Sequence, residues 1–170
     1  MLKLAGIVHD SIVDGPGMRI VLFTQGCPHH CEGCHNPETW DFDAGVSLTL
    51  EDILKEIESN PMCRGITFSG GEPFAQAGEL AKLAGVLKSR GYEVASYSGY
   101  TFEQLLKGTD DQKKLLRMID VLIDGPYQPE YRSLNLNFRG SSNQRVLNVP
   151  RSLQTGTAAA ETSARWLCDY

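Results

Sequence analysis

A chain of 170 residues with 41% apolar content is the size of one globular domain that buries roughly two-thirds of its unfolded surface. Its 21 acidic residues outnumber 16 basic ones, and the net charge of −5 carries no block of like charges, which excludes the electrostatic footprint of nucleic-acid binding or of a polybasic membrane contact. No apolar run approaches the roughly 18 residues of a membrane span, and Met1–Asp10 lacks the basic region and apolar core of a secretory leader, so the chain is expected to be soluble and cytoplasmic, with proteins or small molecules as partners.

In chain order, Leu2–Val8 is apolar enough for a short strand, and Asp14-Gly15-Pro16-Gly17 supplies turn chemistry after it. The glycines there do not make a dinucleotide fingerprint, since the third position is Ile20. Met18–Thr24 is a continuous apolar run broken only by Arg19, which suits a strand buried on both faces of a parallel sheet. Leu50, Ile53, Leu54 and Ile57 fall at helical spacing, with Thr49 or Ser47 as N-cap and Asn60-Pro61 as the stop. Gly65–Phe68 is the next strand and runs into Ser69-Gly70-Gly71-Glu72-Pro73, after which Leu80, Leu83, Ala84 and Leu87 mark a helix closed by Gly91.

Tyr92–Tyr97 reads as a third strand ending in Ser98-Gly99-Tyr100, followed by short helices over Thr101–Leu106 and Asp111–Met118. Val121–Ile123 is a fourth strand ending at Asp124-Gly125-Pro126, and Arg145–Val149 a last one after the polar stretch Arg139–Gln144. Strands alternating with helices imply an α/β fold with right-handed crossovers, a parallel sheet or partial (β/α) barrel, over one domain from 1 to 150. The cysteine, glycine and aspartate turns then share the edge where ligands of such sheets collect. Residues 151–170 form a tail read as a frayed helix with Glu161 and Arg165 paired at i,i+4, a docking segment or disorder.

The most informative stretch is Cys27-Pro28-His29-His30-Cys31-Glu32-Gly33-Cys34, which sets three thiols, spaced by four and then three positions, directly after a strand. Cysteines serving only as small hydrophobes have no reason to cluster, and in a reducing compartment disulfides are disfavoured. Four chemistries compete: zinc with a histidine as fourth ligand, though no second cysteine pair exists; haem attachment at Cys31-Glu32-Gly33-Cys34-His35; a thioredoxin-like dithiol, which has no use for Cys27; and an iron–sulfur cluster. Cys63 is expected inside near the second strand, and Cys168 apart from the cluster. Three local thiols on a four-iron cluster leave one iron without a protein ligand, where a substrate or cofactor can bind.

The spacing of Cys27, Cys31 and Cys34, together with the Ser69–Pro73 turn, resembles the radical S-adenosylmethionine superfamily. That resemblance implies a partial barrel, a [4Fe-4S] cluster on the three cysteines, and S-adenosyl-L-methionine on the open iron. The cofactor is then cleaved reductively to methionine and a 5'-deoxyadenosyl radical. It further implies that Ser69, Gly70, Gly71 and Glu72 hold the methionyl amino group, with Glu72 as acceptor for the ammonium. The Gly33–Cys34–His35 segment would meet adenine, and Ser98 and Asp124 would lie around the ribose and carboxylate.

Asp14–Arg19, the cysteine loop and His35–Trp40 together are similar to a narrower branch, the activating enzymes of glycyl-radical proteins. Within it, Arg139-Gly140-Ser141-Ser142-Asn143-Gln144 resembles the activators of anaerobic ribonucleotide reductase, while pyruvate formate-lyase activases are similar through the first half. The implied function is radical formation on one glycine of the reductase large subunit, received near Asp14–Gly17, with electrons from flavodoxin or ferredoxin. The rival readings are activation of another glycyl-radical enzyme and a non-enzymatic iron–sulfur electron carrier.

Overall fold

In the computed structural model, which describes residues 1–168, one seven-stranded sheet carries the whole chain. The elements in order are β1 (Leu2–Ser11), β2 (Arg19–Thr24), β3 (Val46–Leu48), α1 (Leu50–Glu58), β4 (Gly65–Gly70), α2 (Ala77–Ser89), β5 (Glu93–Ser98), α3 (Phe102–Leu106), α4 (Asp110–Met118), β6 (Val121–Asp124), β7 (Arg145–Asn148), α5 (Val149–Thr155) and α6 (Ala164–Leu167). The strand order is β3-β1-β2-β4-β5-β6-β7.

The α/β architecture expected from the alternation is present, and the four central strands β2, β4, β5 and β6 are parallel. The outer strands depart from the all-parallel expectation: β1 and β7 pair antiparallel with β2 and β6, and β3, which the sequence pattern did not announce, pairs antiparallel with β1. The connections differ in kind. A parallel return is usually made by a crossover helix, and neither Ile12–Met18 nor the longer passage from β6 to β7, interrupted only by the three-residue 3₁₀ turn Pro129–Tyr131, supplies one.

Local signals account for the helices. Thr49 rather than Ser47 caps α1 by accepting from the Asp52 N–H, and Thr101 and Thr109 form capping boxes with Gln104 and Gln112. Strand alternation divides the sheet into two faces. Ile20, Leu22, Ile66, Phe68, Val94 and Leu122 point into a core closed by Leu80, Leu83, Leu87, Leu115 and Leu116 of α2 and α4. Each such side chain, once fully buried, contributes about 1.5–3 kcal/mol. Cys63 belongs to this core, as expected.

The other face carries Arg19, Val21, Thr67, Ala95, Tyr97, Val121 and Ile123, with α6 laid across part of it through Trp166. Residues 151–168 are therefore structured: α5 follows β7 directly, Ala160 bridges to Leu147, and Trp166 is buried. The expected Glu161–Arg165 pair is replaced by other partners. Glu161 accepts from Asn148 and from the N–H groups of Thr162 and Ser163, and Arg165 reaches Glu93 across the sheet.

Candidate active site at the carboxyl ends of the parallel strands

The cysteine loop leaves β2 and returns on itself. Gly26 N–H donates to the Thr39 carbonyl at 2.7 Å, Cys27 N–H to the Trp40 carbonyl at 3.1 Å, and Gln25 Nε2 to the carbonyls of Glu38 and Asp41. His30, in the left-handed region at φ 49°, stacks on Trp40 at 4.6 Å between ring centroids. The loop is thus fixed by backbone pairing and one aromatic stack, and no pair of its cysteines is cross-linked. Cys27 is buried, which pushes its thiol up, while Cys31 and Cys34 are half-buried and Cys34 Sγ accepts from the Asn36 N–H at 3.4 Å.

The glycine turn after β4 is pressed against this loop. Gly71 N–H donates to the Thr24 carbonyl at 2.8 Å and Glu72 N–H to the Gly26 carbonyl at 2.9 Å. A Cβ on Gly71 would lie 2.4 Å from the Gly26 carbonyl oxygen, and one on Gly70, whose φ is +92°, would lie 2.5 Å from the Thr24 nitrogen. Both glycines are therefore required by contact between two backbones of this chain, independently of any ligand.

Glu72 has partners within the protein that the motif alone did not show. Its carboxylate is fully buried and already engaged: Oε1 accepts from Phe74 N–H at 3.0 Å and Ser98 Oγ at 2.9 Å, and Oε2 accepts from Gly99 N–H at 2.8 Å. His29 Nε2 lies 2.6 Å from Oε2, and an acceptor-only carboxylate requires that nitrogen to carry a proton. Glu72 thus joins the cysteine loop, the glycine turn and the end of β5, and both of its oxygens accept from the protein. Asp124 is likewise engaged within the protein. It is buried, accepts from Phe102 N–H at 2.7 Å, and takes Arg145 through Nε at 3.0 Å and Nη2 at 2.5 Å.

A cavity of about 450 Å³ opens between these segments. Cys27, Cys31, Cys34, His35, Ser69, Gly70, Gly71 and Ser98 line it; Gly33, Glu72 and Asp124 are not among its lining residues. Gly33 is instead exposed beside Tyr127 and Pro129, and the His35 ring sits 4.9 Å from that of Tyr127. The far wall comes from Tyr97, Tyr127, Arg132, Phe138, Arg139 and Gln144.

The family described as a 4Fe-4S single cluster domain matches residues 13–147. The anaerobic ribonucleoside-triphosphate reductase-activating protein of Enterobacteria phage T4 is 37% identical over 141 residues, covering 79% of this chain and 86% of that protein. This chain belongs to the family of those activating proteins. The pyruvate formate-lyase-activating enzyme of Clostridium pasteurianum is 38% identical over 119 residues, 65% of this chain and 50% of that enzyme. The solved structure of QueE from Escherichia coli gives a TM-score of 0.49 at 22% identity, over 59% of this chain and 53% of that one.

The donor set of this family member suits a [4Fe-4S] cluster. Thiolates are the usual ligands of such clusters, each bound to a separate iron. Two parts of the site were not legible from motifs. The sequence offers His29 only as a fourth ligand for zinc, and the Arg139–Gln144 stretch marks a resemblance without a role for its side chains. In the fold Gln144 Oε1 accepts from the N–H groups of Gly140 and Ser141 while its Nε2 donates to the Gly125 carbonyl, and the Arg139 Nε is buried with no partner among the described residues.

Proposed function

We propose that this chain activates anaerobic ribonucleotide reductase by generating a radical on one glycine of the reductase large subunit, with a [4Fe-4S] cluster on Cys27, Cys31 and Cys34 and S-adenosyl-L-methionine in the adjoining cavity. When bound, these groups together supply a 5'-deoxyadenosyl radical that takes a hydrogen atom from a glycine Cα. The observation carrying the reading is that the three thiols and the Ser69–Gly71 backbone line one cavity at the carboxyl edge of the parallel strands. An electron carrier needs the thiols and has no need of the cavity.

The chain's residues divide the work. Ser69, Gly70 and Gly71 present main-chain groups to the cavity, where an ammonium finds carbonyl acceptors. Glu72 acts from behind, fixing His29 of the cysteine loop against Ser98 and Gly99. Arg139, with a buried unpartnered Nε on the opposite wall, is placed to meet a carboxylate. His35 and Tyr127 provide ring surface beside Cys34 for adenine. Asp14 borders the mouth, where the glycine-bearing loop of the partner enters. A low-potential flavodoxin or ferredoxin supplies the electron, and a cytoplasmic setting fits five unpaired cysteines; among the described residues no helix is long and apolar enough to cross a membrane.

Anaerobic reconstitution with iron and sulfide tests this. The expected protein holds four irons and four sulfides per chain, a count that the Cys31→Ala variant does not reach, following the cubane stoichiometry. It releases 5'-deoxyadenosine under dithionite and gives a glycyl radical signal by electron paramagnetic resonance when the reductase is added. A cluster-bearing protein that leaves the cofactor intact is an electron carrier, and a radical raised on pyruvate formate-lyase instead makes it the other kind of activase.

A further inference from the structure

Trp166 is 3% exposed although its helix, α6, has only four residues. So short a helix has no stability of its own and is held by what its side chains touch. Two loops meet on this indole. On one side Arg19, fully buried, places its guanidinium carbon 5.4 Å from the Trp166 ring centroid. A Cβ on Gly15 would lie 2.6 Å from Arg19 Cδ and 3.0 Å from Trp166 Cη2, so the Asp14–Gly17 turn rests directly on the Arg19–Trp166 pair. Thr67 Oγ1 accepts from Arg19 Nε at 2.8 Å and donates to the Asp14 carbonyl at 2.8 Å, fixing the turn's height.

On the other side Phe138, at φ 62°, packs edge-on against Trp166 at 5.4 Å, and its carbonyl accepts from Tyr97 Oη at 2.7 Å. Asn137 Nδ2 donates to the Leu167 carbonyl at 3.3 Å. Between the loops lies a second cavity of about 410 Å³, with Ile12 and Val13 on one lip and Leu136 and Phe138 on the other. Ile12 and Val13 are 71% and 69% exposed, and Leu134, next to the second lip, 88%. Exposed aliphatic side chains on both lips of a cleft mark a surface that meets another chain. Trp166 itself lines neither cavity.

We propose that Trp166 is a positioning residue that sets the gap between the Asp14–Gly17 turn and the 136–138 loop, and that this gap governs delivery of the partner's glycine-bearing loop, leaving cofactor cleavage untouched. The inference rests on the proposed function and deepens it. A small-residue loop fits such a gap because only its backbone must enter, while flanking apolar side chains stay on the lips. The readout is therefore the ratio of glycyl radical formed to 5'-deoxyadenosine released, which a purely structural role does not move.

The test uses the full chain carrying Trp166→Ala, Trp166→Phe or Asn137→Ala. Each is measured for 5'-deoxyadenosine release without the reductase, for radical per 5'-deoxyadenosine with it, and, as the cluster-free protein, for binding to the large subunit by sedimentation velocity. Trp166→Ala is expected to cleave the cofactor within about twofold of wild type while the coupling ratio falls roughly tenfold and partner binding weakens; Trp166→Phe recovers most of the ratio. Asn137→Ala, which cuts one bond between loop and helix without disturbing the core, shifts the ratio in the same direction and keeps the question answerable if Trp166→Ala melts below the assay temperature. Unchanged coupling in these variants beside an active wild type, or cleavage and coupling falling together in folded Asn137→Ala and Trp166→Phe, overturns the positioning role. A wild type that cleaves the cofactor yet leaves the reductase without a radical overturns the functional reading, and the proposal with it.

Discussion

The Glu72 carboxylate and the His29 imidazole meet at 2.6 Å, and through this contact the loop that carries the thiols is fastened to the turn that lines the cofactor cavity. Truncating Glu72 leaves the N–H groups of Phe74 and Gly99 and the Ser98 hydroxyl without their acceptor. Glu72→Ala is expected to cost about 2–4 kcal/mol. For a chain of this size that is roughly 5–15 °C in Tm. Circular dichroism melts of the cluster-free protein measure it. Iron retention through a desalting column should fall in both Glu72→Ala and His29→Ala, with only a small Tm change in the latter. If Glu72→Ala melts with wild type, the carboxylate does not bear the load assigned to it.

Arg139 gives a prediction about the ligand rather than the fold. Its Nε faces no acceptor among the described residues, so truncation removes little besides the bond from Nη1 to the Gln144 carbonyl. Arg139→Ala should weaken S-adenosyl-L-methionine binding to the reconstituted protein about tenfold or more, the loss of a charge-assisted pair, with little change in Tm. Equilibrium dialysis with labelled cofactor reads it directly. Because Arg139 Nη1 also donates to the Gln144 carbonyl at 3.0 Å, Arg139→Lys tests geometry and should restore only part of the affinity.

Arg145 and Asp124 predict the opposite pattern. Asp124 is 1% exposed and takes two hydrogen bonds from Arg145, which also holds the exposed Glu103. Arg145→Ala leaves a buried carboxylate with the Phe102 N–H alone, and should destabilise by about 3–5 kcal/mol. Cofactor affinity of the folded fraction should be unchanged, since neither residue lines the cavity. A selective loss of affinity at full stability would return Asp124 to the binding site.

The five thiols should separate by access. In the cluster-free protein iodoacetamide should modify exposed Cys168 and half-buried Cys31 and Cys34 first, buried Cys27 more slowly, and Cys63 after unfolding. Burial pushes the Cys63 thiol up, so its thiolate, the reactive form, gains population only above the ordinary thiol range, and raising pH within the folded range should leave Cys63 unmodified. Peptide mass spectrometry at several pH values checks the order.

Much of the fold was legible because the central strands and amphipathic helices are written in local periodicity, and the thiol spacing is a local fact. Arg19 shows where that ends. In the sequence it interrupts an apolar run, and only the fold shows it spanning Thr67, Glu93 and Trp166, residues spread over most of the chain. Asp14 and Ser98 line the cavity, and Asp124 does not. The pairing of Asp124 with Arg145 was not legible, because a carboxylate at a strand end reads the same whether it faces a ligand or an arginine on the next strand.

By itself the sequence determined the order of the parallel strands and of the helices α1 to α4, the three-thiol loop and the glycine turn, since each depends on residues near one another along the chain. The tertiary structure decided that β3 joins the sheet, which strands run antiparallel, which groups Glu72 accepts from, and that Trp166 covers part of the second face of the sheet. Those outcomes depend on which distant groups come within about 3–5 Å, and a buried polar group satisfies itself with whichever partner the fold delivers.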